Sequence, residues 1–159
     1  MFVQEKDLVL FQGDSITDAE RDRTDYYSLS EGYVGQTERL FSSRHPQMEV
    51  VFLNRGVGGD RSADMLARWK EDCLDLNPTV VSVLIGVNDT WRRYDANLFT
   101  SAQQYRQNIR EAFRSVKERG MRLIVLTPFL LPAPDKEHWR KEDLDEKIDV
   151  CLEEAAQYA

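Results

Sequence analysis

Three short stretches hold residue types that chemistry uses. Gly13-Asp14-Ser15 follows the apolar run Leu8-Val9-Leu10-Phe11. Asn54-Arg55-Gly56-Val57-Gly58-Gly59-Asp60 follows a second apolar run, and Gly86-Val87-Asn88-Asp89 a third. A hydroxyl at a tight turn that feeds a helix faces ligand, and so does its backbone N–H. Glycines at 56, 58 and 59 let a backbone approach a ligand and offer N–H groups with no Cβ in the way. Asn88 adds a side-chain amide donor. Each stretch also has a plainer reading: an N-cap serine, a tight turn before Ser62, and an Asx turn or helix cap. Taken together they form a device. A serine that attacks an ester carbonyl creates an oxyanion, which needs donors already aimed at it. The N–H groups of Ser15 and a loop glycine, with the Asn88 amide, would supply three.

The elements that must position these groups alternate along the chain. Residues 7–12, 49–53, 79–85 and 122–127 are short, continuously apolar runs, as expected of strands buried on both faces of a parallel sheet. Helical periodicity falls between them. Residues 33–43 set Val34, Thr37, Leu40 and Phe41 on one face before His45-Pro46. Residues 62–76 align Met65, Leu66, Trp69, Cys73 and Leu76, and Asn77-Pro78 ends them. In residues 101–119, Ala102, Tyr105, Ile109, Ala112, Phe113 and Val116 share a stripe; Thr100 and Gln103 have capping-box spacing, and Gly120 stops the helix. Residues 142–158 group Leu144, Ile148, Cys151, Leu152 and Ala155. The pattern predicts one domain over residues 1–159, a three-layer α/β/α doubly wound and mainly parallel sheet. In such sheets ligands bind beyond the carboxyl ends of the strands, where all three stretches lie. Residues 18–31, 90–99 and 129–142 read as the loops around that rim.

"GDSIT", "NRGVGGD" and "GVND" resemble three of the four signature blocks of the SGNH (GDSL-type) hydrolases, in order and spacing, and the likeness extends over essentially the whole chain. The resemblance implies a flavodoxin-like SGNH hydrolase fold and a serine hydrolase of carboxylic esters. It makes Ser15 the nucleophile and first oxyanion donor, Gly59 the oxyanion glycine and Asn88 the oxyanion asparagine. Asp14 then shapes the turn. Small acyl groups, such as acetyl groups on carbohydrates, are the substrates it suggests. No cofactor or metal is required.

The family's fourth block, Asp-x-x-His after a fifth strand, supplies the base and its orienting acid. This chain has two histidines. His45 precedes Pro46 ahead of the second strand, toward the wrong end of the sheet. Asp135-Lys136-Glu137-His138 has the spacing but precedes the last helix and sits among charged residues. The last helix ends in "EEAAQYA" with no stop signal, although a helix in this pattern normally crosses to another strand. The expectation is a domain that lacks its last strand and helix here, nearly inactive as 159 residues, with an exposed edge inviting homo-oligomer formation.

Composition narrows the alternatives. A net charge of −7, with 21 basic against 28 acidic residues and no basic run, argues against a nucleic-acid partner. No apolar run approaches the roughly 20 residues of a membrane helix, so no membrane partner is expected. Cys73 and Cys151 read as buried thiols in a reducing, cytoplasmic setting. Two other readings stay open: a flavodoxin-like phosphate or Mg²⁺ module built on Asp14, Asp89 and Thr127, and a non-catalytic α/β binding domain. Gln12 stands where the former would want a second acid.

Overall fold

The computed structural model describes residues 2–159. Four parallel strands, β1 (Leu8–Gly13), β2 (Val51–Asn54), β3 (Val80–Leu84) and β4 (Arg122–Leu126), form a sheet of order β2-β1-β3-β4. The chain winds outward from β1 in both directions, so the doubly wound expectation holds. Register pairs Phe11 with Asn54 and Gly13 with Leu84. The carboxyl ends of β1, β2 and β3 therefore lie side by side, and the three motif stretches leave the sheet along one rim.

Helices cover both faces: α1 (Ser15–Asp18), α2 (Tyr33–Arg44), α3 (Ser62–Ala67), α4 (Trp69–Asp72), α5 (Val87–Asp95), α6 (Ala102–Glu118), α7 (Glu137–Trp139) and α8 (Asp145–Tyr158). The larger core packs Leu10, Leu53, Val81 and Val83 of the sheet against Met65, Trp69, Ile109 and Phe113. The smaller core gathers Val9, Phe11, Phe52 and Val80 with Val34 of α2. Among the described residues, no helix is long and apolar enough to cross a membrane.

Several boundaries differ from the sequence expectation, each for a local reason. The helix expected over 62–76 breaks into α3, α4 and a 3₁₀ turn over Leu74–Leu76. Arg68 sits at the first break, where its guanidinium reaches under the rim, and the Asp72 carbonyl beside the second accepts from Gln12 Nε2 at 2.6 Å. Its stripe still buries Met65, Trp69 and Cys73. Residues 90–99, expected as loop, begin inside α5, whose buried residues Val87-Asn88-Asp89-Thr90 show no apolar stripe to read. Residues 129–142 are loop only to Lys136; helix then continues through α7 and a π-helical turn (Arg140–Leu144) into α8.

Capping shifts by one residue on α6, where Ser101 Oγ rather than Thr100 accepts the Gln104 N–H at 3.1 Å. Leu40 on α2 and Leu152 on α8 face outward. On α8 the buried face is Lys147, Val150, Cys151 and Glu154, because the two charged side chains find partners. Glu154 takes Arg106 (2.8 Å) and Arg110 (2.7 Å) from α6, and Lys147 pairs with Asp143. Pairing offsets the loss of water that burying each charge entails, so these positions are tolerated inside. Cys73 and Cys151 are both free and buried, as expected.

Candidate active site

The Asp14 carboxylate, not Ser15, caps α1: Oδ1 accepts the Ile16 N–H at 3.0 Å. Ser15 is thereby the first helical residue, exposed, with no in-helix acceptor for its N–H. The short helix is pressed tightly onto the loop after β2. A Cβ on Gly56 would stand 2.3 Å from the Asp18 nitrogen, so only glycine allows this approach. Asn54 closes an Asx turn beneath it, accepting the Gly56 N–H at 2.9 Å and donating Nδ2 to the Thr17 carbonyl at 2.7 Å.

That turn hands the chain to Gly58 and Gly59. Asp18 Oδ2 accepts the Gly58 N–H at 3.0 Å and the Arg23 guanidinium at 2.7 Å, tying the glycine loop to the serine helix. Gly59 has φ +88°, a left-handed conformation that carries strain for any residue with a Cβ. Its N–H has no hydrogen-bond partner among the described residues. Asn88, 7 % exposed, donates Nδ2 to the Asp60 carbonyl at 2.9 Å. One amide hydrogen thus fixes the side chain and the second is left over.

Ser15, Gly59 and Asn88 line one cleft of about 750 Å³. Its outer wall is apolar, with Trp91 from α5 and Phe129, Leu130 and Leu131 from the segment after β4. Ile16 and Val87 also line it. The arrangement offers an exposed hydroxyl beside unpartnered N–H donors in a largely apolar recess. Those are the parts that acyl transfer needs, apart from a base.

Two supports escaped the sequence reading. Arg68 binds Asp60 Oδ2 (2.7 Å), Gln12 Oε1 (2.9 Å) and the carbonyls of Arg55 (2.8 Å) and Gly13 (3.2 Å). One guanidinium so clamps the ends of β1 and β2 together. Asp89 is fully buried and accepts the Ser62 N–H at 2.8 Å and its Oγ at 2.6 Å, capping α3 from a distance. The available signals were an acid directly after Asn88 and an arginine inside an otherwise apolar helical stripe. Neither identifies its partner, because every partner is far away in sequence.

Burial dominates the electrostatics of the rim. It pushes Asp14 up to about 6, helped by the carboxylates of Asp89 and Asp60, against the lowering effect of the Ile16 N–H. Burial also raises Asp89 to about 6, opposed by both Ser62 hydrogen bonds. Asp60 is raised by burial and held back by Arg68. With Asp14 and Asp89 spent as caps, no cluster of three metal-binding side chains exists among the described residues.

The structure brings neither histidine to the cleft. His45 ends α2 and packs against Phe41, 4.9 Å between ring centroids. His138 is exposed and meets Tyr94 edge-on at 5.5 Å. It does not line the cleft and makes no hydrogen bond with Asp135. The Asp-x-x-His spacing at 135–138 is therefore only a spacing.

Residues 11–159 match the model of the GDSL-like lipase/acylhydrolase family. The chain belongs to this family. Among its relatives is the acetylxylan esterase of Geobacillus stearothermophilus, 32% identical over 141 residues, which are 84% of this chain and 64% of that protein. The chain thus spans just under two thirds of the length of this curated GDSL-like relative. The crystal structure of that organism's acetylxylan esterase Axe2 superposes with a TM-score of 0.91 at 29% identity, covering 99% of this chain and 75% of that one. LAE5, an α/β hydrolase enzyme from the metagenome of Lake Arreo, Spain, gives 0.92 at 26% identity, with 99% and 76% covered. Solved catalytic mutants of Axe2 replace a serine, an aspartate or a histidine; the latter two lie further along that chain than residue 159.

Proposed function

We propose that this chain carries the nucleophile and oxyanion hole of a serine esterase that removes small acyl groups, acetyl foremost, from carbohydrate. The convergence of Ser15, Gly59 and Asn88 on one cleft carries the reading. Ser15 Oγ attacks the ester carbonyl carbon and gives its proton to a general base. The oxyanion so formed accepts hydrogen bonds from the N–H groups of Ser15 and Gly59 and from the second Asn88 amide hydrogen. Collapse expels the alcohol, which takes the proton back, and water then frees the acyl group by the same route. The general base, a histidine oriented by an aspartate, comes from outside residues 1–159 and completes the same domain. The distance of His45 and His138 from the cleft and the catalytic aspartate and histidine of Axe2 support this.

The acetylxylan esterase relatives support acetylated sugars as substrates, and the net charge of −7 supports a small-molecule ester over nucleic acid as the partner. Two buried free thiols support a reducing, cytoplasmic setting. A fluorophosphonate probe tests the reading directly. Ser15 in the full-length protein is expected to be labelled, and Ser15→Ala to abolish the label. Labelling that survives in Ser15→Ala overturns it.

A further inference from the structure

Among the described residues, the charged ones that line the cleft are Arg92 and Lys136, and no carboxylate lines it, although acids outnumber bases across the chain by 28 to 21. Neither cation is spent within the cleft. Arg92 Nη1 pairs with Asp95, which lies on the far turn of α5 and outside the lining. Arg92 Nη2 instead lies 3.6 Å from the point where a side chain on Gly59 would begin, beside the oxyanion loop. Lys136 Nζ rests over the faces of Trp91 (3.8 Å) and Trp139 (5.4 Å) and has no carboxylate within ion-pair distance among the described residues. The neighbouring Glu137 pairs with Lys141 at 3.1 Å. Aromatic faces hold an ammonium in place without neutralising it.

From this we infer that the esterase prefers an anionic substrate: an ester whose alcohol part is a sugar bearing a carboxylate, as in a uronic acid. An acetyl group fills little of a 750 Å³ cleft, so the alcohol occupies most of it. A guanidinium with Nε and Nη2 unused offers two parallel donors to a carboxylate, and the Lys136 ammonium, which also lines the cleft, adds attraction. The same pair concentrates anionic substrate at the mouth of an otherwise acidic protein. The inference rests on the esterase reading for the position of the scissile bond, but the recognition of the carboxylate does not depend on turnover.

Two measurements on the full-length protein test it. In the first, kcat/KM is compared for an O-acetylated methyl glucuronoside and the matching methyl glucoside, which differ only in the carboxylate. The uronate is expected to be preferred by about three- to tenfold at low salt, with the preference shrinking as salt rises. Arg92→Met and Lys136→Met should each reduce the ratio and the double variant should abolish it, while Arg92→Lys retains part of it. In the second, unacetylated methyl glucuronoside and methyl glucoside are titrated while tryptophan emission is followed, since an anion that draws Lys136 off Trp91 changes that ring's surroundings. Tighter binding of the uronate, lost in the double variant, supports the inference. Equal binding of both sugars, or a preference that survives in a folded double variant, overturns it. Fluorophosphonate labelling of Ser15 separates the outcomes: absent labelling with intact uronate selectivity defeats the esterase reading and leaves the anion site standing.

Discussion

The Asp14-Ser15 turn and the Asp135–His138 segment look alike in the sequence, each setting an acid close to a side chain that hydrolases use. The fold treats them in opposite ways. Asp14 is 1 % exposed, capped onto α1 and hemmed in by a glycine loop whose geometry Asp18 and Arg68 fix. Asp135 and His138 are exposed, and His138 packs on Tyr94 and Trp139 rather than on a catalytic partner. Spacing along the chain fixes proximity only within a helix or turn. Preorganisation needs hydrogen-bonded contacts from elsewhere, and the first segment has them from three strand ends while Asp135 and His138 have only the ring contacts of His138 with Tyr94 and Trp139.

The sharpest way to break this contrast is to remove each side chain from the full-length protein. Ser15→Ala is expected to lower kcat on the order of 10⁶-fold, as loss of a serine nucleophile does in subtilisin. Substantial ester hydrolysis by Ser15→Ala would sink the role given to the turn. Asn88→Ala comes next: loss of one oxyanion donor lowers kcat by about 10²- to 10³-fold with KM much less affected. Steady-state kinetics on a simple acetyl ester read the split, and an effect confined to KM would reassign Asn88 to binding.

A smaller effect probes the burial that distinguishes the first segment. Asp14 and Asp89 titrate near 6 in the folded protein against an ordinary 3.8. Below about 6 the folded state holds protons that the unfolded chain releases until about 4, so these carboxyls make stability rise as pH falls. Between pH 7 and 5 the gain is about 1 kcal/mol for each. The carboxyls held low by arginines, Asp64 and Glu154, act in the opposite sense and only below about pH 4. Urea midpoints should rise from pH 7 to 5 in the wild type and rise less in Asp14→Asn. A falling midpoint over that range would contradict the burial assignment. The smallest change belongs to His138→Ala, expected to alter kcat by less than about twofold because a surface ring with no hydrogen bond carries no proton in the reaction. A loss of several orders of magnitude would restore the Asp135–His138 pair as catalytic.

Much of the molecule was legible beforehand because its signals are local. The four strands are apolar runs, and a run buried on both faces needs no partner information to be recognised. The α6 stripe Tyr105, Ile109, Ala112, Phe113 and Val116 is buried as its period indicates. The glycine loop and Asn88 could be assigned to a rim because doubly wound sheets put their crossings there. Less was legible where a polar residue does structural work at long range. Helix α5 hid because Asn88, Asp89 and Thr90 are buried through contacts with other elements rather than through an apolar face. The outward turn of Leu152 on α8 hid for the converse reason, since α6 supplies two arginines that reward burying Glu154 instead.

The sequence alone determined the family signature, the parallel α/β layer, the identity of the three rim residues and the absence of a histidine in any matching block. Tertiary structure alone decided that Asp14 rather than Ser15 is the cap, that Arg68 and Asp18 hold the glycine loop, that His138 stays off the cleft, and that Arg92 and Lys136 line it. The division has a physical cause. Hydrophobic period and turn chemistry are read within about a dozen neighbouring residues. A buried ion pair or a cleft wall joins side chains dozens of residues apart, and only the packed fold brings them within the few ångströms at which charge and hydrogen bonding act.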